Sequence, residues 1–232
     1  MADDTFPWLP FLLQTADALF PTGAYAHSLG FEESVRLGEV RDELTLKEYL
    51  RSQVAPALQN QELPYLRFAF DAAKAGDLPE LLHIDHEISA WKLANETRRA
   101  SAQLGVRRLK ALRVISDAPI LQQFAAHIEN HSAAGHHITI CALQAITAQI
   151  PLRAALATYF YQSLAATCAA ALKLIRIGQD GCQRALHEVT AEIDAAIETS
   201  LLVQRAHAGW FNPMLEIASM RHERAEERLF IS

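Results

Sequence analysis

Ten histidines give this 232-residue sequence its most obvious capacity for chemistry. His127 and His131 are four residues apart, which places them on one face if the segment is helical. Neutral imidazole nitrogens are common ligands of nickel and zinc, so a divalent-metal site would have four candidate ligands here: His127, His131, His136 and His137. A closed site also needs ligands that converge and are held by further hydrogen bonds. We therefore favour the simpler interpretation, in which these histidines cap helices or lie on polar faces, and keep divalent-metal binding as the alternative.

Signatures of catalysis and of nucleotide binding are missing from the sequence. No Gly-x-Ser-x-Gly elbow is present, and no glycine is followed by lysine as a phosphate-binding loop requires. A di-metal bundle would need two Glu-x-x-His motifs, and only the segment from Glu80 to His83 fits. The three cysteines include no Cys-x-x-Cys pair that would suggest zinc. We predict that the chain is not an enzyme, binds no cofactor, and leaves any nucleotide chemistry to another protein.

A turn near the start of the chain combines residue types that core packing alone explains poorly. Its glycines permit a positive φ or a close approach of the backbone, and its tyrosine has an apolar body with a polar tip, a type enriched at interfaces. An ordinary corner between two helices would account for the segment equally well. If it is an interaction site, its candidate residues are Gly23, Tyr25, His27, Ser28, Gly30 and Glu32.

The end of the chain is the second such segment, because it stops on the apolar run Leu229, Phe230 and Ile231. Chain ends are usually polar and frayed, so an apolar end needs a surface on which to dock. That surface is either the protein's own core or a partner, and in the second case residues 224–232 become ordered on binding. The candidate residues are Arg221, His222, Glu223, Arg228, Leu229 and Phe230.

A third candidate region follows a nearly all-apolar helix that carries a single cation near its end, Lys173. A buried lysine without a partner is costly, but most such side chains extend to solvent, and that is the interpretation we favour. Gly178 is predicted to be the residue just beyond the helix end, and Gln179 follows it.

The elements that must position these residues are predicted to be helices. No Asn-Gly or Asp-Gly turn joins two alternating segments, and apolar residues recur at spacings of three and four. Local signals predict where helices begin: a capping box from Thr45 to Glu48, a start at Asp77 and a terminal helix from Pro213. Pro151 is predicted to separate a helix over 136–149 from one over 152–175, and one long helix is predicted over 186–201. With short connections throughout, we predict a single all-α domain spanning 1–232, with roughly nine to ten helices.

Composition narrows the classes of partner and the compartment. Half of the residues are apolar and 21% are charged, so a sizeable core is expected. The net charge of −6 argues against nucleic acid as the main partner, because phosphate binding needs a concentrated basic surface. There is no secretory signal, and the longest apolar run is about half of the ~20 residues that a membrane span requires. We therefore expect a soluble, cytoplasmic protein.

Taken together, these segments resemble the urease accessory protein F (UreF) family. No single motif is diagnostic, but their order and spacing are specific in combination, and the match runs along almost the whole chain. It comprises Leu13-Gln14, Asp17 with Pro21-Thr22-Gly23-Ala24-Tyr25, Ser28-x-Gly30-x-Glu32, Glu96-x-Arg98-x-x-Ser101-x-x-x-Gly105, Gly135-His136, Lys173-Leu174-Ile175-x-x-Gly178-Gln179, Gln183, Pro213-x-Leu215-x-x-Ala218-Ser219-x-Arg221-His222-Glu223, and Arg228-Leu229-Phe230-x-Ser232.

The resemblance implies a function that residue spacing does not. Proteins of this family are all-helical, form dimers and act in the delivery of nickel to apo-urease. They do so in complexes with a UreG-type GTPase and a UreD-type (also called UreH-type) accessory protein, so nickel and GTP would be handled by partners. Modulation of GTP hydrolysis on the partner has been suggested for the family, and the arginines available for it are Arg98, Arg99 and Arg221. The alternative function is a nickel carrier or storage protein that uses the clustered histidines.

The resemblance also suggests which surfaces meet the partners. The C-terminal segment would contact the UreD-type protein and become ordered on binding. The first turn and the 173–179 region would belong to the dimer interface or to the surface that faces the GTPase. Glu96 and Arg98 join the candidate interface residues because they match the family's Glu-x-Arg motif.

Overall fold

Helices are the only regular elements in the part of the chain that the computed structural model describes, which is residues 5–23, 30–223 and 229–230. In chain order they are α1 (Leu9–Ala16), α2 (Phe31–Arg36), α3 (Glu43–Tyr49), a π segment (Leu50–Val54), α4 (Ala55–Ala57), a second π segment (Leu58–Glu62), α5 (Leu63–Ala75), α6 (Leu78–Trp91), α7 (Asn95–Ile115), α8 (Pro119–Glu129), α9 (His137–Thr147), α10 (Leu152–Leu174), α11 (Gln179–Thr190), α12 (Ile193–Leu202), a 3₁₀ turn (Arg205–His207) and α13 (Pro213–His222).

The all-α prediction is confirmed, and the described helices are somewhat more numerous than predicted. The segments over 43–75 run on from one another as one continuous helix, which leaves 11 separate helices among the described residues. Two π turns lie within this continuous helix. None of the helices in this part of the chain combines the length and the apolar composition that crossing a bilayer requires.

Several helix ends follow the local signals in the sequence. The Asp77 side chain accepts a hydrogen bond from the Glu80 N–H at 3.0 Å and caps α6, which has proline in its first turn. Asn212 caps α13 in the same way, with Pro213 as the first helical residue. Pro151 separates α9 from α10, as predicted.

Two local predictions are wrong. The capping box of α3 is formed by Asp42 and Thr45, not by Thr45 and Glu48, because the Asp42 carboxylate accepts from the Thr45 N–H and Thr45 Oγ1 accepts from the Asp42 N–H. The predicted helix over 186–201 is broken at a turn after Thr190. Both α11 and α12 pack on α10, and after the break their remaining contacts diverge, since α11 also packs on α3 whereas α12 also packs on α5.

The core is built around α9. It packs against α5, α7 and α10, and its Ile138, Ile140 and Leu143 side chains are fully buried. Fully buried leucines and phenylalanines of α5, α8 and α10 surround it, among them Leu66, Phe124, Phe160 and Leu164. Burial of this apolar surface is the main stabilising contribution to the fold.

A buried carboxylate positions the start of α9. Asp85 of α6 is fully buried and accepts hydrogen bonds of 2.8–3.0 Å from the main-chain N–H groups of residues 134–136 and from the Thr139 hydroxyl. The same loop presses against α7: a Cβ at Gly105 would lie 2.0 Å from the Gly135 carbonyl oxygen. Only glycine permits this approach, so α7 packs closely against the loop that leads into α9.

Candidate interaction site

Residues from four distant parts of the chain meet around His222, at the end of α13. Its side chain is only 2% exposed. Nδ1 lies 3.0 Å from both carboxylate oxygens of Glu96, and Nε2 lies 2.9 Å from a carboxylate oxygen of Glu32. Both ring nitrogens therefore lie within hydrogen-bond distance of a carboxylate acceptor. We call Glu32, Glu96, His222 and residues 229–230 the C-terminal clasp.

Glu32 connects this histidine to the end of the chain. Its carboxylate accepts hydrogen bonds from the main-chain N–H groups of Leu229 at 2.8 Å and of Phe230 at 3.0 Å. Burial alone would raise the pKa of Glu32, but these two N–H groups and the His222 ring outweigh burial and lower that pKa below its ordinary value. Glu32 therefore stays ionised and holds the two residues near the C-terminus.

The helices of the clasp are brought together by small residues and by polar contacts. Gly30 precedes α2 with a φ of 90°, and a Cβ there would lie 2.6 Å from the Ser219 hydroxyl of α13. Between α13 and the start of α7, the Ala94 N–H donates to Glu216 at 3.2 Å, and the Asn95 amide donates to Glu223 at 2.8 Å. Serine and glycine at these positions let α13 pack closely on both α2 and α7.

The position of Phe230 contradicts the interpretation in which the apolar C-terminal residues stay exposed until a partner covers them. Its ring is 5% exposed and packs within the protein's own core. Lys173 Nζ lies 5.2 Å from the ring centre, within the range of a cation–π interaction, while the Lys173 side chain extends to the exposed surface as predicted. Leu229 is 59% exposed. The ordering of residues 224–232 on partner binding stays a prediction.

The other candidate interface residues do not join the clasp. The Arg98 guanidinium donates to the Lys92 carbonyl at the end of α6 and to the side chain of Asn95, the first residue of α7. Gly23 has a φ of 75° and lies against Arg107, and Arg221 is exposed. Four residues proposed from the sequence, together with Ile231, lie outside the described residues: Tyr25, His27, Ser28 and Arg228.

The 173–179 region is also corrected in part. Gly178 does not end a helix in the left-handed conformation; it has a φ of −82° and is the residue that precedes α11. A Cβ at Gly178 would meet nothing within 4 Å, so packing does not require glycine there. Gln179 is the exposed first residue of α11.

The four clustered histidines do not form a metal site. His127 Nδ1 is hydrogen-bonded to Ser132 at 2.7 Å, and His136 is fully buried between Ser89 and Ser101, which occupy both of its ring nitrogens. His137 stacks against Tyr159 instead. Across residues 5–23, 30–223 and 229–230, no group of three or more histidine, cysteine, aspartate or glutamate side chains is placed to hold a metal ion. The four histidines of the nickel-carrier alternative, with His131 as the fourth, are therefore not brought together in the described part of the chain.

Burial of His136 makes the fold sensitive to acid. Desolvation lowers the pKa of His136 to about 4, although Asp85 opposes this, so the folded state favours the neutral ring. Between about pH 6.5 and pH 4 the unfolded chain therefore binds a proton that the folded chain does not. We expect His136 to contribute a loss of stability on the order of 3 kcal/mol as the pH falls through this range.

Urea unfolding at several pH values tests this expectation. His136→Asn cannot titrate, so its free energy of unfolding should fall less steeply than that of the wild type. His86→Gln, at an exposed position of α6, is the matched control and should retain the wild-type slope. Parallel pH profiles for the wild type and His136→Asn would contradict the expectation.

Sequence reasoning missed two structural contributors. Asp85 carried a visible signal, since it is an acid within the apolar stripe of Leu81, Ile84 and Ile88. Ser219 was part of the family motif but was not selected as a site residue, and only its contact with Gly30 explains its position.

An exposed apolar surface adjoins the clasp. Phe211, Met214, Ile217 and Met220 precede or lie on α13, and each is 42–71% exposed. Such a patch beside a buried ionic network can bind another protein surface, but it contains no pair of groups suited to acid–base or nucleophilic catalysis.

Comparisons with known proteins place this geometry in context. A family model described as UreF matches residues 40–190. Proteins named urease accessory protein UreF are similar over 95% of this chain and 96–97% of their own length. They include those of Paenarthrobacter aurescens strain TC1 at 34% identity, Arthrobacter sp. strain FB24 at 32%, and Actinobacillus pleuropneumoniae serotype 5b at 30%.

Proposed function

Because the chain belongs to the UreF family of urease accessory proteins, we propose that it is a scaffold required for the GTP-dependent insertion of nickel into apo-urease. Its role lies in urease maturation, not in the hydrolysis of urea itself. The chain has no recognisable phosphate-binding loop, so GTP would be bound by a UreG-type GTPase. A UreD-type accessory protein and apo-urease complete the proposed assembly.

The C-terminal clasp is the observation that best supports this proposal. It joins family-matched residues that are up to 198 positions apart, and its chemistry is that of a structural ionic network. The network fixes α13, whose exposed Met214 and Ile217 are available to a partner. We propose that this surface, with the exposed Leu229, meets the UreD-type protein.

The remaining features of the proposal concern assembly and compartment. We propose that the protein acts in the cytoplasm and forms a homodimer, and that the first turn and the 173–179 region belong to the dimer interface or to the surface that faces the GTPase. It would bind no cofactor of its own, and nickel would reach urease through its partners. Any effect on the GTPase would be that of a modulator.

Co-expression provides the test. Urease should become active when the wild-type chain is expressed with urease, the UreG-type GTPase and the UreD-type protein, and the chain should co-purify with the latter two. Removal of the last five residues should abolish co-purification with the UreD-type protein and leave the helical content unchanged. Full urease activation in the absence of the chain would contradict the proposal, as would recovery of the complete complex with the truncated chain on a sizing column.

A further inference from the structure

The outer face of α7 carries a row of cations that have few ion-pair partners among the residues that the structure describes. Positions 99, 103, 106, 107, 110, 113 and 114 are all exposed, and their spacing places them on one side of the helix. The charged residues among them are Arg99, Arg107, Lys110 and Arg113. At 1.5 Å per residue the row is about 20 Å long. The one acid within α7, Glu96, faces inward to His222.

This row differs from the other cationic surfaces among the described residues. Several exposed or partly exposed cations elsewhere pair with carboxylates at 2.6–3.1 Å: Lys47 with Glu188, Arg51 with Glu192, Arg153 with Glu198, and Arg184 with Glu43. Within the described ranges, the only ion pair of the four α7 cations is the 3.8 Å contact between Arg113 and Glu129. A concentrated positive face on a chain with a net charge of −6 is therefore a local feature and not a consequence of overall composition.

We propose that this basic face of α7 binds an acidic surface of another protein. Val106 is 39% exposed and Val114 is 82% exposed, so apolar contacts lie between the cations. An interface with a protein uses both kinds of contact, whereas the phosphate backbone of a nucleic acid uses only the charges. Four cations also fall short of the six to ten phosphate contacts of a typical salt-sensitive DNA-binding protein.

We take the acidic groups that complement α7 to lie on a different protein, because the face combines cations with the exposed apolar side chains of Val106 and Val114. Association with a second copy of the chain is the alternative that the experiment below distinguishes. The inference rests on the proposed function for the choice of partners to test, namely the UreG-type GTPase, the UreD-type protein and apo-urease.

Binding titrations with these three purified proteins test the inference. Arg99→Glu combined with Lys110→Glu cancels the net positive charge of the basic face, because Arg107 and Arg113 are then balanced by two glutamates. Arg41→Glu combined with Lys74→Glu makes the same change in net charge at exposed positions on other elements and serves as the matched control. At about 50 mM salt, the α7 variant should bind one of the three proteins at least about tenfold more weakly than the wild type, while the control should bind within about twofold. The wild-type affinity for that protein should fall as salt is raised, because exposed charges are screened.

Each outcome decides the question. Equal binding of the wild type and the α7 variant at low salt would overturn the inference, as would an equal loss in the control. Salt-sensitive self-association that only the α7 variant loses, or binding only to duplex DNA, would assign the face to another occupant and overturn it as well. If the wild type binds none of the three proteins and does not support urease activation, the proposed function fails together with the inference. If the wild type binds and supports urease but the α7 variant does so equally, only the inference fails.

Discussion

Replacement of Asp85 by alanine is expected to lower the free energy of unfolding by about 4 kcal/mol. The carboxylate is fully buried and is the acceptor for three consecutive main-chain N–H groups and one hydroxyl. Without it, those N–H groups at the start of α9 are left buried with no acceptor, and each carries a desolvation cost. Because α9 lies at the centre of the core, the loss cannot be confined to a surface loop.

Two further variants show whether this effect belongs to the buried carboxylate. Asp85→Asn should be nearly as destabilising as alanine, because its amide group would place a donor against the N–H donors of the loop. Asp77→Ala is the matched control: it removes a single hydrogen bond at the exposed start of α6 and should cost only about 1 kcal/mol. Urea unfolding of the three variants gives these values. A cost below about 1 kcal/mol for Asp85→Ala would show that the loop finds other acceptors.

The second large effect is expected from His222→Ala, which removes the ring between two buried carboxylates. Glu32 and Glu96 lose their bridge and face each other across the resulting cavity, so we expect a loss of about 3 kcal/mol. The loss should be greatest in α13 and at Leu229 and Phe230, because these are the parts that the clasp attaches to α2 and α7.

Hydrogen exchange combined with urea unfolding measures this effect. Main-chain amides of α13 should exchange much faster in His222→Ala than in the wild type, while amides of α9 should change less. His207→Ala, at an exposed position in the 3₁₀ turn, should match the wild type within about 0.5 kcal/mol. Uniform exchange rates in the wild type and His222→Ala would show that the clasp does not hold α13. Under the proposed function, urease activation should fall in the same variant.

The fold was largely predictable because helix signals are local. A capping aspartate such as Asp77 and a proline such as Pro151 act within a few residues, and both mark helix ends correctly. The 186–201 prediction failed for the opposite reason: apolar periodicity records which residues are buried, but not whether one neighbour or two bury them. The turn after Thr190 depends on α3 and α5, which lie far away in the sequence.

The residues of the candidate site could be selected from the sequence, but the sequence did not predict that they meet in one place. Glu32, Glu96 and His222 were all selected, yet their spacing along the chain says nothing about their meeting. Their contact follows from the packing of α13 on α2 and α7, which depends on Gly30 and Ser219. The apolar end of the chain was likewise noticed, but whether Phe230 packs against its own core or a partner depends on a surface that only the folded chain presents.

The two π turns in the helix over 43–75 have a consequence for chain length. A π turn holds one residue more than an α turn, so each is equivalent to a one-residue insertion that leaves the buried faces on either side in place. Relatives that lack one residue at 50–54 or 58–62 would simply have a regular α turn there. Loss of a residue elsewhere in the helix would instead rotate everything beyond it by about 100° and turn apolar side chains towards water.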